Sequence, residues 1–234
     1  MLEPASGPAE CQRRSGQRIV VFDFDLTITR WDTASRFFRW LLWRNPWRLL
    51  VVFLALPMLG PLLLWRQARW VPMRFAVWVA TLGRTLDSLP ALVEEHIDSL
   101  PNGHASVMLP AAIEHLKAHL QNGDKVVIAT GCLQPLAAGL LERAGLGEVP
   151  LVASTLRPLL GGLVRDQHCF GQNKVSMLTA QGFGPPWDIA YTDHHADLPV
   201  LLLSSESHLV SPKEKCLARI EQALSSQPNI LLWR

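Results

Sequence analysis

The feature that most constrains this chain is a four-residue apolar run, Ile19-Val20-Val21-Phe22, that stops abruptly at Asp23. It is too short for a helix and apolar at every position. It therefore reads as a strand buried on both faces, the kind found in parallel sheets. Three later runs repeat the pattern: Lys125-Val126-Val127-Ile128-Ala129, Leu151-Val152-Ala153-Ser154-Thr155 and Trp187-Asp188-Ile189-Ala190-Tyr191. Helix-like segments lie between them. Pro110 to Gln121 is stopped by Asn122-Gly123, Leu133 to Ala144 is followed by Gly145, and Asn173 to Gln181 precedes the last run. Leu160 to Cys169, with Gly161-Gly162, reads as a hairpin, and Val200 to Leu203 as a helix or strand near the sheet edge. Strands alternating with helices predict an α/β fold: a doubly wound, Rossmann-like parallel sheet with helices on both faces.

Composition narrows the partners. Hydrophobic residues make up 49% of the 234 and charged residues 18%, which excludes a disordered chain. A net charge of +2 also excludes a nucleic-acid binder driven by overall charge. The average hides an asymmetry. Residues 30–74 hold eight of the 22 basic residues, all Arg, against the single acid Asp32, and seven of the nine Trp lie between Trp31 and Trp78. The four cysteines, Cys11, Cys132, Cys169 and Cys216, show no CxxC spacing and read as structural thiols of a reducing compartment. Residues 1–16 are polar, lack the apolar stretch of a signal peptide, and read as a flexible N-terminus.

The chemistry sits at the strand ends. The first strand ends in Asp23-Phe24-Asp25-Leu26-Thr27, and the fourth is followed by Asp193 and Asp197. In a doubly wound sheet the carboxyl ends of the strands are where ligands bind. Four carboxylates brought together there repel one another, and a hard divalent cation, Mg²⁺, resolves the repulsion. Thr130 ends the second strand and Lys174 opens a helix. A hydroxyl and an ammonium suit the equatorial oxygens of a phosphoryl group.

Asp23-x-Asp25-x-Thr27, Thr130, Lys174 and Asp193-x-x-x-Asp197, in that order, resemble the four motifs of the haloacid dehalogenase superfamily. Tyr191 to Pro199 and Cys169 to Lys174 resemble its phosphoserine-phosphatase-type branch. The resemblance implies a phosphatase in which Asp23 is the nucleophile and Asp25 the general acid and base. It implies phosphate binding by Thr130, Gly131 and Lys174, and Mg²⁺ held by Asp23, Asp25, Asp193 and Asp197. Leu26 stands where that family commonly has Gly, and Thr192 and His194 flank Asp193 where Gly and Ser are common. His194 and His195 read as loop or substrate-edge residues rather than metal ligands.

Residues 34–107 are expected to form an all-helical cap inserted after strand one, with the catalytic core at 17–33 and 108–234. Helices are expected over 33–56, 62–82 and 85–100. Leu49 to Trp65 carries no charge, and as a helix would be roughly 25 Å long against a hydrocarbon core of about 30 Å. Arg44, Arg48, Arg66 and Arg69 flank it together with Trp43, Trp47, Trp65 and Trp70, the pattern of a membrane interface. One full crossing would separate Asp23 from Thr130, Lys174 and Asp193, so the chain must return. Pro57, Gly60 and Pro61 suggest a break there, giving a hairpin over about 40–70 with Arg toward anionic headgroups. The insertion is similar to that of bacterial inner-membrane lipid phosphatases of the same branch. It implies a lipid phosphate substrate and a place on the cytoplasmic face. A soluble cytoplasmic phosphatase of small phosphomonoesters, with this segment as its cap, and a non-enzymatic membrane-attached scaffold are the alternatives. Nothing in the sequence fixes the oligomeric state.

Overall fold

The computed structural model describes residues 17–65, 68 and 70–233. The flexible N-terminus expected over 1–16, Cys11 in it, and the flanking residues Arg66 and Arg69 lie outside the described residues.

Six parallel strands form the main sheet: β1 (Ile19–Phe22), β2 (Lys125–Leu133), β3 (Leu151–Ser154), β6 (Trp187–Thr192), β7 (Ser204–Val210) and β8 (Asn229–Leu231). Their order is β3-β2-β1-β6-β7-β8. The chain winds outward from β1 in one direction, then restarts at β6 and winds in the other. The gap above β1 and β6 is thus the switch point at which such sheets bind ligands. Alternation along β1 explains the two cores. Val20 and Phe22 pack on one face with the helices α4 (Leu89–Asp98), α5 (Pro110–Gln121) and α6 (Gln134–Arg143). Ile19 and Val21 pack on the other with α7 (Gln172–Ala180), α8 (Leu198–Leu201) and α9 (Glu214–Glu221). β4 (Leu156–Leu159) and β5 (Gly162–Arg165) make an antiparallel hairpin beside the sheet, so the hairpin begins earlier than the glycines alone suggest. Val200 to Leu203 is helical in its first half. The strand that follows it, β7, is half exposed and opens with Ser-Ser-Glu-Ser-His, so no apolar run marks it.

Three helices, α1 (Thr33–Trp43), α2 (Pro46–Leu64) and α3 (Trp70–Ala80), precede α4 and form the cap after strand one. Here the expected break is corrected. Pro57, Gly60 and Pro61 lie inside α2, which continues through all of them. Two prolines four residues apart remove two backbone bonds from the same face, which bends a helix without ending it. The chain breaks instead at Asn45, which is extended, with Pro46 in the first turn, where proline's missing N–H costs nothing. It turns again between Leu64 and Trp70.

The expected arginine belt is corrected too. Arg48 is buried and donates to the carbonyls of Ala80 (2.7 Å) and Leu82 (2.5 Å), oxygens that the end of α3 leaves without helical partners. Arg44 pairs with Glu95 and lies over the Trp40 ring. Arg48 holds the cap together from within, while Arg44 and Glu95 stay exposed at its surface. The rest of α2 is inverted relative to a soluble helix: Arg48 is its single buried residue, while Phe53 and Leu54 are each 68% exposed.

The end of α3 is stitched to the hairpin. Trp78 Nε1 donates to Leu159 O (2.9 Å), and Leu163 N donates to Thr81 Oγ1 (2.9 Å). A Cβ at Gly162 would sit 2.8 Å from Trp78 Cδ1 and 2.9 Å from the Trp78 carbonyl oxygen. Gly162→Ala must therefore push the cap off the hairpin. It is expected to lower stability by about 1–3 kcal/mol, the usual cost of overpacking. In urea titration the midpoint should fall with an unchanged slope. An unchanged midpoint would contradict this packing.

Candidate active site

β1 ends at the switch point, and the Asp23 amide donates to Tyr191 O of β6 (2.8 Å), so the first carboxylate is fixed across the gap. The chain then turns tightly. Ile28 N donates back to Phe24 O (2.9 Å), and Leu26 has φ +63°, the left-handed conformation that favours glycine. This turn sets Asp25 beside Asp23, facing the cap, while Thr27 is fully buried beneath it.

Lys174 enters from the first turn of α7. Its ammonium lies 2.9 Å from Asp23 Oδ1 and 2.8 Å from Asp197 Oδ1, and the residue is 3% exposed. Burial works against its charge, but Asp197 and Asp23 outweigh burial and hold its pKa above the ordinary lysine value. Asp197 lies in a short 3₁₀ turn, His195–Asp197, and its second oxygen accepts from Thr192 Oγ1 (2.8 Å). Asp193, between β6 and that turn, is buried and close enough to repel both Asp23 and Asp25. Asp23, Lys174, Asp193 and Asp197 thus converge as the strand ends suggest. β2 runs past Thr130, which was expected at its end, to Leu133; Thr130 is fully buried where the register with β3 shifts, and its hydroxyl accepts from Cys132 N (2.9 Å). Gly131 beside it faces His168 Nε2, 3.5 Å from where a Cβ would stand.

One residue that organises this site escapes the sequence reading. Thr33, the first residue of α1, donates to Asp25 Oδ1 from both its amide (2.8 Å) and its hydroxyl (2.6 Å). Its hydroxyl also lies 3.1 Å from Cys132 Sγ. The capping Asp32 marks the helix start, but no local signal says that the next residue reaches back to Asp25. Thr33 joins the cap to the site, since the first helix of one grips a carboxylate of the other.

The electrostatics follow from burial. Desolvation raises Asp23 to about 8; Lys174 opposes this, and Asp197 and Asp193 add to it. Desolvation raises Asp25 to about 6 against the two hydrogen bonds from Thr33. Asp193 and Asp197 are buried and Asp23 and Asp25 half-buried, and Lys174 pairs with two of the four, Asp23 and Asp197. A set of hard oxygen donors with an excess of negative charge fits Mg²⁺, which binds through one or two carboxylates and a carbonyl.

Thr33→Val removes the hydroxyl donor and keeps the amide. Because that hydrogen bond favours the carboxylate, its loss should raise the Asp25 pKa further. An NMR titration of the Asp25 carboxyl carbon in both proteins measures the change. A pKa unchanged or lower in Thr33→Val would refute the role of the hydroxyl.

Comparison with known proteins agrees with this geometry. The sequence profile of the haloacid dehalogenase-like hydrolases matches residues 20–202. Among solved structures, a Bordetella pertussis Tohama I protein of unknown function is similar at 19% identity, over 93% of this chain and 99% of that one, with a TM-score of 0.68. A hydrolase of the same family from Salmonella enterica serovar Typhi is 16% identical over 92% of this chain and 68% of that one, with a TM-score of 0.59. A phosphoserine phosphohydrolase-like protein from Francisella tularensis SCHU S4 is 15% identical over 92% and 95%, with a TM-score of 0.58. These structures share the fold, and the profile runs from β1 through β6 and takes in the cap and every one of the converging carboxylates: the chain belongs to the haloacid dehalogenase-like hydrolases.

Proposed function

We propose that this hydrolase cleaves phosphomonoesters in two displacements at phosphorus. The observation that carries the reading is the buried Asp23–Lys174–Asp197 cluster at the switch point. Lys174 ties down one oxygen of Asp23, leaving Oδ2 as the attacking atom. Oδ2 forms the bond to phosphorus as the ester oxygen leaves, taking the proton of Asp25, and an aspartyl-phosphate remains. Asp25, now a carboxylate, takes a proton from water. That water attacks phosphorus, releases phosphate and restores Asp23. A pKa of about 6 suits Asp25 to both duties near neutral pH. Lys174, the Thr130 hydroxyl and the Gly131 amide would hold the phosphoryl oxygens. Asp23, Asp193 and the Asp25 backbone carbonyl would bind Mg²⁺, with Asp197 orienting them. When bound, that ion supplies charge neutralisation for the carboxylates and the phosphoryl group.

For the substrate, the likeness to a phosphoserine phosphohydrolase-like protein supports a small soluble phosphomonoester such as phosphoserine, and on this reading the enzyme would work in the cytoplasm. A second reading rests on one specific observation. α2 is long and apolar enough to cross a membrane, and its apolar side chains are almost all outside the protein core. That favours a lipid phosphomonoester, such as phosphatidylglycerophosphate, met at the cytoplasmic face of a bacterial inner membrane, as in phosphatidylglycerophosphatase C. After α2 the chain continues through α3 to Thr130 and Lys174, so α2 would lie along the interface or re-enter it. The internal bonds of Arg48 and the pairing of the exposed Arg44 with Glu95 leave the apolar face, rather than those charges, as the attachment. The scaffold alternative is disfavoured because every charged motif residue is in place.

Asp23→Asn should abolish turnover with Mg²⁺ present, and Asp25→Asn should slow it by about 10²–10⁴-fold, the usual worth of a positioned acid or base. Chelation by EDTA should stop the wild type. Near-normal release of phosphate by purified Asp23→Asn refutes the mechanism. The substrate is decided by the ratio of rates on phosphatidylglycerophosphate in anionic vesicles and on phosphoserine. A ratio favouring the lipid that collapses in the triple variant Phe53→Ser, Leu54→Ser, Met58→Ser selects the second reading. A ratio favouring phosphoserine and indifferent to those changes selects the first.

A further inference from the structure

The turn that carries Asp197 also carries two histidines, and a cysteine of the last helix faces them. A ring nitrogen of His194, a ring nitrogen of His195 and Cys216 Sγ all lie within 4.8 Å of one another. The two rings are 4.1 Å apart between centroids, and His195 Nδ1 is 3.3 Å from Cys216 Sγ. Cys216 is buried and both histidines are half-buried, so the cluster is shielded yet reachable. Zinc–nitrogen distances of about 2.0–2.1 Å and zinc–sulfur distances of about 2.3 Å, in a tetrahedron, set ligand atoms roughly 3.3–3.7 Å apart. The cluster needs only small side-chain movements to reach that spacing. Its donors are also of the opposite kind to the carboxylates: imidazole and thiolate select Zn²⁺, while oxygen donors select Mg²⁺.

We propose that His194, His195 and Cys216 form an inhibitory site for Zn²⁺, separate from the carboxylate cluster, whose occupancy takes apart the turn holding Asp197. Zinc would take the three side chains and leave a fourth position to water, while Cys216 releases its proton to solvent.

The coupling follows from imidazole chemistry. His194 caps the 3₁₀ turn by accepting from Ala196 N at Nδ1 (3.1 Å). If zinc binds His194 Nδ1, the lone pair is gone. If it binds Nε2, the remaining proton moves to Nδ1, which then cannot accept. Either way the cap is lost, and with it the local support of Asp197, whose carboxylate holds Lys174. His195 shows the same logic at its other side. Arg219 Nη1 is 2.9 Å from His195 Nε2, and a guanidinium only donates, so Nε2 accepts. Zinc on Nε2 displaces Arg219, and zinc on Nδ1 puts a proton on Nε2 that opposes it. Arg219 is exposed and free to swing away, which makes it a competitor of the metal rather than part of its site.

The test uses the whole protein in excess Mg²⁺, so that the carboxylates are occupied. Co²⁺ is added first, because a sulfur-to-cobalt charge-transfer band reports a thiolate ligand without any need for activity; Zn²⁺ then displaces it. The wild type should bind one cobalt per chain with that band, and zinc should inhibit hydrolysis of para-nitrophenyl phosphate over the concentration range in which it displaces cobalt. Cys216→Ser should lose the band and resist zinc by at least about 100-fold, at an unchanged rate without zinc. Arg219→Ala, a surface change that keeps the fold, should bind zinc roughly tenfold more tightly. Absence of the band in the wild type overturns the site. So does equal zinc inhibition of Cys216→Ser and wild type, or unchanged affinity in Arg219→Ala. Because the cobalt band needs no turnover, its outcome is independent of the proposed phosphatase mechanism.

Discussion

The placement of one buried ammonium organises the molecule. Lys174 is 3% exposed and touches Asp23 and Asp197, residues that come from different strands' ends. Breaking such a pair by removing one partner leaves an uncompensated buried charge, which is costly in a way that a surface pair is not. The lysine can reach both only if α7 starts where it does, if β1 lies beside β6, and if the turn after Asp193 folds back. Three parts of the chain far apart in sequence are thereby held to one geometry. The cluster is still short of positive charge, and burial, with Asp197 and Asp193 adding to it, raises the pKa of Asp23 in spite of Lys174. A protein that keeps so many carboxylates in so dry a place is built to receive cation and phosphate together.

The cap answers a different constraint. Its helices must seal a site that opens toward them, and they do so with an apolar seam, in which Phe37, Leu41 and Ala80 join the core around Phe24 and Ile28, and with polar contacts at defined points. Thr33 grips Asp25, Arg48 closes the end of α3, and Trp78 and Thr81 bind the hairpin. α2 packs one side, with Val52, Ala55 and Leu59 half-buried, against its neighbours in the cap and leaves the rest of its apolar surface open. The same geometry therefore makes α2 both a structural strut and a surface that water does not favour.

The sheet was legible because a strand buried on both faces leaves an unbroken apolar run, and four of the six strands do so. β7 and β8 escaped notice because an exposed strand near a sheet edge needs no such run. The converging carboxylates were legible because the end of a strand fixes where the next residue points. Pro57 and Pro61 misled, since a proline reports the loss of one hydrogen bond and not whether the helix survives it. Arg48 reads as a surface charge in sequence, whereas in the fold it satisfies carbonyls that α3 leaves open. Thr33 and the His194–His195–Cys216 grouping depend on contacts across the fold, which spacing along the chain does not record.

The central claim is that Asp23 carries the phosphoryl group. Rapid mixing with para-nitrophenyl phosphate and Mg²⁺, acid quenching and borohydride reduction convert an aspartyl-phosphate into homoserine, which peptide mass spectrometry locates. The account predicts homoserine at position 23, in an amount that rises with the first turnover and is absent without Mg²⁺. Unmodified Asp23 during steady turnover, or homoserine at position 25, 193 or 197 in its place, would contradict it.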